Sequence, residues 1–259
     1  MLSLAGCGNN SDMNMPSGES AEIIIAGSTS VQPISEAIAE VFMRKNPNIR
    51  VNTQGGGSSA GIKAAQQGTA NIGSSSRDLK SEESGLTETV ICKDGIVIAV
   101  NKLNVVNDLS VEQIKKIYSG EVTNWKEVGG ADQKITVVAR EAGSGTRGAY
   151  EDIVMGKERI SDRAIIQNST GAVRTIVAGD PNGIGFISLA ILDETVKAVT
   201  VEGVQASNEN IVKGSYKLQR SFLYLTKEAP SGAVKTFIDF VLSDEGQSII
   251  VQEGLVSVK

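Results

Sequence analysis

Between Ile135 and Ile153 the chain reads ITVVAREAGSGTRGAYEDI, in which two arginines, Arg140 and Arg147, bracket the small-residue run Gly143, Ser144, Gly145 and Thr146. Guanidinium forks, hydroxyls and bare backbone amides at this spacing suit an oxyanion, because each offers hydrogen-bond donors and none brings a hydrophobic wall. The elements that must position them follow from the flanks. Ile135 to Val138 alternate as a strand, with Arg140 just past its end, and Ala149, Ile153 and Val154 fall at helical spacing after the turn. A strand that ends in a small-residue turn and opens a helix leaves free N–H groups at the positive end of the helix dipole.

Two nucleotide motifs lie close to these residues and neither fits well. GSGTRG matches G-x-G-x-x-G after a strand and before a helix, but hydroxyls and an arginine crowd a turn where a dinucleotide needs bare backbone. In QGGGSSAGIKAAQQG, Gly56 and Gly61 have P-loop spacing, yet Ile62 stands where lysine is required and Lys63 comes one place late.

The same construction recurs along the chain. Ile23 to Ala26 read as a strand, Gly27, Ser28, Thr29 and Ser30 as a turn, and Ile34, Ile38, Val41 and Phe42 as the apolar stripe of a helix ended by Asn46-Pro47. Ile49 to Thr53 lead into the loop Gly55 to Ser59 and a helix through Ile62 and Ala65; NIGSSSRDL runs into Ser74, Ser75, Ser76, Arg77 and Asp78; QNSTGAVR adds Ser169 to Gly171. Repeated strand–turn–helix units imply an α/β fold with parallel strands, whose ligands collect at the carboxyl ends of the strands. Hydroxyl-rich turns spaced tens of residues apart, together with arginines, imply one tetrahedral oxyanion held from many sides in a cleft between two lobes.

Composition removes competing classes. The 259 residues suffice for two lobes with separate cores, and 40% hydrophobic with 21% charged residues is ordinary globular usage. A net charge of −5 argues against nucleic acid as the main partner. The chain has no histidine, which removes His-activated nucleophiles and the commonest metal ligand; no cysteine cluster replaces it, so neither a metal nor a cofactor is expected. A Ser-Lys arrangement keeps a phosphate-ester hydrolase formally open.

At the N-terminus, Leu4-Ala5-Gly6-Cys7 resembles a bacterial lipobox, in which the cysteine becomes the lipid-bearing first residue after cleavage. What precedes it is too short for a full export signal, so the chain is expected to be truncated or misannotated at its start. Residues 8–20, polar and rich in Gly, Ser and Asn, suit a flexible tether. The only expected membrane attachment is the lipid at Cys7, on the outer face of the cell membrane. Cys92, in an apolar run, reads as a buried small hydrophobe.

Taken in order, AGSTSVQPI, QGGGSSAGIK, IGSSSRDLK, YSGEVTNWKEVGG, VVAREAGSGTR, GIGFISL and FIDFVLSDEGQSIIVQEGLV resemble the phosphate-binding lipoproteins of bacterial phosphate ABC transporters, the PstS family, from about Glu22 to Val258. The resemblance implies a two-lobed type II periplasmic binding protein fold: lobe I from 21–99 plus 222–259, lobe II from 100–221, with GIVIAVNK and SFLYLTK as crossings. It implies a monomeric, extracytoplasmic solute-binding protein without enzymatic activity, which captures inorganic phosphate and delivers it to the permease subunits of an ABC transporter. Position by position, Thr29, Ser30, Ser58, Arg140, Ser144, Gly145 and Thr146 match the family's phosphate contacts, and Ser76 and Arg77 fall at a further contact position.

Two departures stand out. Well-known members have an aspartate where this chain has Ser76, which accepts the proton of hydrogen phosphate and so refuses sulfate; a second acid beside the arginine falls at Ala142 here. Glu141 is therefore expected to orient Arg140, and a hydroxyl or backbone carbonyl to accept the ligand proton. Another tetrahedral oxyanion, sulfate or a phosphonate, stays open as the ligand. Trp125 and Tyr118 are expected to pack rather than to touch ligand, Arg174 and Lys63 to be surface charges, and Ser169 and Thr170 are candidate extra contacts.

Overall fold

The computed structural model describes residues 20–259. Cys7 and most of the tether expected before Glu22 lie outside the described residues. Eleven strands and eight α-helices follow in chain order: β1 (Ala21–Gly27), α1 (Gln32–Lys45), β2 (Ile49–Gly55), α2 (Ser58–Gln67), β3 (Ile72–Ser75), β4 (Thr87–Asn101), β5 (Asp108–Leu109), α3 (Val111–Ser119), β6 (Thr136–Arg140), α4 (Gly145–Tyr150), β7 (Ile165–Gln167), α5 (Thr170–Gly179), β8 (Gly183–Ser188), β9 (Val196–Ala198), β10 (Thr200–Val201), α6 (Asn208–Val212), β11 (Gln219–Thr226), α7 (Gly232–Val241) and α8 (Asp244–Gln252).

Strand order is β2-β1-β3-β11-β4-β8-β6-β7, with β9 also on β4 and a separate β5–β10 pair. The long strand β4 belongs to two lobes. Its first part pairs with β11, from Thr87 to Gly95, and its second part with β8, from Ile96 to Val100. Ile91 and Cys92 are buried in a core with Ile23, Ile25, Ile34, Ile38, Phe42, Phe222 and Phe237, whereas Ile96 to Val100 are buried in a second core with Val138, Tyr150, Val173 and Phe186. Along β4 the burial passes from the first core to the second near Gly95, whereas the family resemblance implied a boundary at Ala99.

Alternation explains how the first lobe covers both faces of its sheet. On β11, Phe222 and Tyr224 face the core under α1, α7 and α8, while Leu223 and Leu225 face Ile62 and Ala65 of α2. Phe237, Ile238 and Val241 are the buried stripe of α7, as their spacing predicts.

Local structure departs from expectation at two places near the site. Arg140 is the last residue of β6 rather than a residue beyond it, because Val138 to Arg140 pair in parallel with Ile165 to Gln167. After α4 the chain continues as a π-helical turn, Glu151–Met155. The wider turn shifts the inward positions to Tyr150, Val154 and Met155, so Ile153, expected inside, is exposed. Trp125 donates its indole N–H to Asn182 O at 3.0 Å, and Tyr118 is fully buried against Tyr150 and Phe186, so both pack as expected.

Candidate anion site

Sheet register brings the turns to one level. In the first lobe Gly27 pairs with Gly55 and with Ser74, all on parallel strands, so the turns after β1, β2 and β3 leave the sheet side by side. In the second lobe Arg140 pairs with Gln167, which aligns the turns after β6 and β7 in the same way. Five turns at the carboxyl ends of parallel strands thus face one another across the gap between lobes.

The lobes meet there through direct bonds. Ser30 Oγ and Thr146 Oγ1 share a hydrogen bond of 3.0 Å, the Ser59 amide donates to Gly143 O at 3.1 Å, and the Thr170 amide donates to Thr29 Oγ1 at 3.4 Å. Glycine permits the approach at two points. A Cβ on Gly145 would lie 2.2 Å from Ser58 Oγ and 2.5 Å from Ser76 Oγ, and Gly57, with φ of +90°, would place one 3.0 Å from Gly143 O.

Hydroxyl directions follow from the backbone donors. Ser28 Oγ accepts from the amides of Ser30 and Val31 and therefore gives its hydrogen to Ser76 Oγ, 2.9 Å away. Ser58 Oγ accepts from the Ser76 amide at 3.1 Å, and the two side-chain oxygens are 3.5 Å apart. In the second lobe Ser144 caps α4, accepting from the Arg147 amide at 3.2 Å, and Gly145 and Thr146 as first helical residues have no carbonyl one turn back. Ser30, Ser58, Ser76, Ser144, Gly145 and Thr146 are all buried.

Arg140 is 1% exposed and is held by its neighbour as expected: Nε and Nη2 donate to the two oxygens of Glu141, each at 2.9 Å. Nη2 also reaches Asn168 O at 3.5 Å, Arg147 Nη1 donates to Arg140 O at 2.9 Å, and Nη1 of Arg140 has no acceptor among the described residues. Glu141 Oε1 lies 3.2 Å from the position of a Cβ on Gly57, which brings this pair against the second turn of the first lobe.

Arg77 stands apart from the other candidates. Its guanidinium donates to both oxygens of Glu83 at 2.6 and 2.7 Å, to Asp78 O and to Ser59 Oγ, and its Cδ lies 2.8 Å from where a Cβ on Gly148 would be. It braces the first lobe against α4 rather than offering donors beside Ser76, and its hydrogen bond holds the Glu83 carboxyl below the ordinary carboxylate range. Among the described residues no group of His, Cys, Asp or Glu could hold a metal, and no helix is long and apolar enough to cross a membrane.

Four further residues belong to this constellation without having been singled out as contacts: Ser28 and Ser188, which lie inside motifs already quoted, and Asp94 and Arg220, which lie just outside them. Ser28 sits in the AGSTS turn beside the residues already singled out. Asp94 and Arg220 each left a trace, a charge at the edge of an apolar strand run, although Asp94 shares that edge with Lys93. Burial pushes the Asp94 carboxyl up, against the pull of Arg220, and pushes Arg220 down.

Residues 15–245 match the PBP superfamily domain. The phosphate-binding protein PstS of Bacillus subtilis is 32% identical over an alignment spanning 100% of this chain and 90% of that protein. The chain belongs to the PstS family of that superfamily. Among solved structures, a Clostridium perfringens protein assigned as a phosphate ABC transporter substrate-binding protein, determined with bound phosphate, is 47% identical with a TM-score of 0.90 over 92% of this chain and 100% of that one. An ABC-type phosphate transport receptor from Vibrio cholerae is 39% identical, with a TM-score of 0.77 over 90% and 99% of the two chains. The two lobes joined by β4 and β11 are the periplasmic binding protein fold of this PstS family member, and the facing turns lie at its interlobe cleft.

Proposed function

We propose that this PstS family protein captures inorganic phosphate between its lobes and delivers it to the permease of an ABC transporter. The observation that carries the reading is the meeting of Ser30 and Thr146 across the cleft at 3.0 Å, beside a buried arginine with one unpaired donor nitrogen. Thr29, Ser30, Ser58 and Ser76 supply hydroxyls or amides from one lobe; Arg140, Ser144, Gly145 and Thr146 supply guanidinium, hydroxyl and amides from the other. Binding strips water from the ion and replaces it with these fixed donors, and only the closed form presents both sets, so ligand binding and closure are one equilibrium. Glu141 neutralises Arg140 and fixes its plane, leaving Nη1 for the ligand. Arg77 contributes indirectly, by bracing the closed lobes.

With serine at 76, the acceptor for the phosphate hydroxyl is a side-chain hydroxyl. The Ser30–Thr146 pair supplies one, since whichever oxygen gives its hydrogen to the other keeps lone pairs free. The lack of a carboxylate at this place also favours a second reading, in which sulfate competes more effectively than in members with the aspartate. The protein works as a monomer outside the cytoplasm, held by a lipid on Cys7, with residues 21–95 plus 219–259 as one lobe and the intervening segment as the other. It has no catalytic role.

Five heavy atoms at a ceiling of roughly 1.5 kcal/mol each give about 7 to 8 kcal/mol, or low-micromolar affinity, which charge-assisted bonds can extend. Titration calorimetry with phosphate should show one site per chain at that affinity or tighter. No heat and no thermal stabilisation with millimolar phosphate would refute the reading.

A further inference from the structure

Asp94 and Arg220 form the most deeply buried ion pair among the described residues, with side chains 0% and 2% exposed. They face each other in register where β4 and β11 run side by side, one residue before Gly95, so the pair sits at the passage between lobes. Arg220 Nε and Nη2 both donate to Asp94 Oδ2, at 3.0 and 2.8 Å, and the guanidinium carbon lies 5.2 Å from the centre of the Phe222 ring. The remaining valences leave the pair in two directions. Arg220 Nη1 donates to Ser76 O at 3.3 Å, in the third turn of the first lobe. Asp94 Oδ1 accepts from Ser188 Oγ at 2.9 Å and from the Leu189 amide at 3.1 Å, in the second lobe.

From Ser188 the path returns to the site. Its amide donates to Thr170 Oγ1 at 3.4 Å, and the Thr170 amide donates to Thr29 Oγ1 at 3.4 Å. A buried ion pair adds little net stability compared with packed apolar residues of the same volume. A fork that bonds a carboxylate and a carbonyl at once does something apolar residues cannot: it fixes three separate backbones relative to one another. Both backbone polar groups of Ser76 are taken, the carbonyl by Arg220 and the amide by Ser58 Oγ, so the direction of the Ser76 hydroxyl depends on this fork.

We infer that Asp94 and Arg220 are positioning residues of the anion site, which hold the Ser76 turn of one lobe and Ser188 and Thr170 of the other in binding geometry without touching the ligand. The inference rests on the reading of the cleft as a phosphate site. Arg220→Lys keeps the positive charge and removes the fork, and Ser188→Ala removes one donor to Asp94 at little structural risk. In calorimetry of the full chain with inorganic phosphate, Arg220→Lys should weaken binding about tenfold or more, the worth of one charged hydrogen bond. Ser188→Ala should weaken it several-fold, and in both the melting temperature without phosphate should stay within a few degrees of the unmutated chain. Unchanged affinity in a folded Arg220→Lys overturns the inference; if that variant does not fold, unchanged affinity in Ser188→Ala does so. Absence of phosphate binding by the unmutated chain overturns the functional reading and this inference with it, whereas tight binding by the unmutated chain and by both variants overturns the inference alone.

Discussion

Replacing Gly145 by alanine should leave the fold intact and disable the site, with affinity falling far more than stability. Gly145 opens α4 and its φ lies outside the left-handed region, so alanine suits its backbone and favours the helix by up to about 1 kcal/mol. Its amide stays in place. In the closed form, however, the new methyl carbon would lie 2.2 Å from Ser58 Oγ and 2.5 Å from Ser76 Oγ. Neither oxygen can yield freely: Ser58 Oγ holds the Ser76 amide at 3.1 Å, and Ser76 Oγ holds the Ser28 hydroxyl at 2.9 Å. Displacing both forfeits two buried hydrogen bonds at about 1 kcal/mol each, plus any donors withdrawn from the ligand by incomplete closure. A loss of roughly 2 to 3 kcal/mol corresponds to phosphate binding about 30- to 150-fold weaker. The contact exists only when the lobes meet and opening of the cleft relieves it, so melting without phosphate should change far less than phosphate affinity does. Calorimetry and thermal melts of Gly145→Ala check both halves. Phosphate affinity within threefold of the unmutated chain would refute the argument that this approach is needed for binding.

Arg140→Ala removes the guanidinium and strands Glu141, and should weaken phosphate binding by about 2 to 5 kcal/mol in calorimetry. Competition between phosphate and excess sulfate at neutral pH tests the hydroxyl acceptor: phosphate should bind more tightly, and equal affinities would sink that assignment. Arg77 holds the Glu83 carboxyl below its ordinary value of 4.5, so the pair's contribution to stability is complete above that pH and is lost as pH falls through the lowered folded value. Thermal melts from pH 5 downward should therefore fall less steeply in Glu83→Gln than in the unmutated chain, and identical slopes would count against the pair.

Much of the site was legible because its chemistry is local. Each strand-to-helix junction carries its hydroxyls and glycines in one contiguous run, and Thr29, Ser58 and Ser144 each announce a turn without reference to the others. Arg140 was legible for the same reason, standing at a strand end beside Glu141, the nearest carboxylate. Arg77 misled because sequence shows a charge beside a turn but not its partner, and Glu83, six residues on, claims both ends of its fork. Ile153 misled because a period of 3.6 residues was assumed where the chain makes a π turn.

By itself the sequence determined the kind of fold and the kind of ligand. Alternating apolar strands, amphipathic helices and hydroxyl-rich turns specify an α/β architecture that offers donors to an anion, and the missing histidines remove most chemistry beyond holding it. Only the tertiary structure decided which donors share one space, because that depends on register between strands far apart in the chain. Parallel pairing of Gly27 with Gly55 and Ser74 levels three turns, and the passage of β4 from one core to the other turns them toward Gly145 and Thr146. The Asp94–Arg220 pair belongs wholly to that second level: its residues are 126 positions apart, and nothing local says that two buried charges will meet.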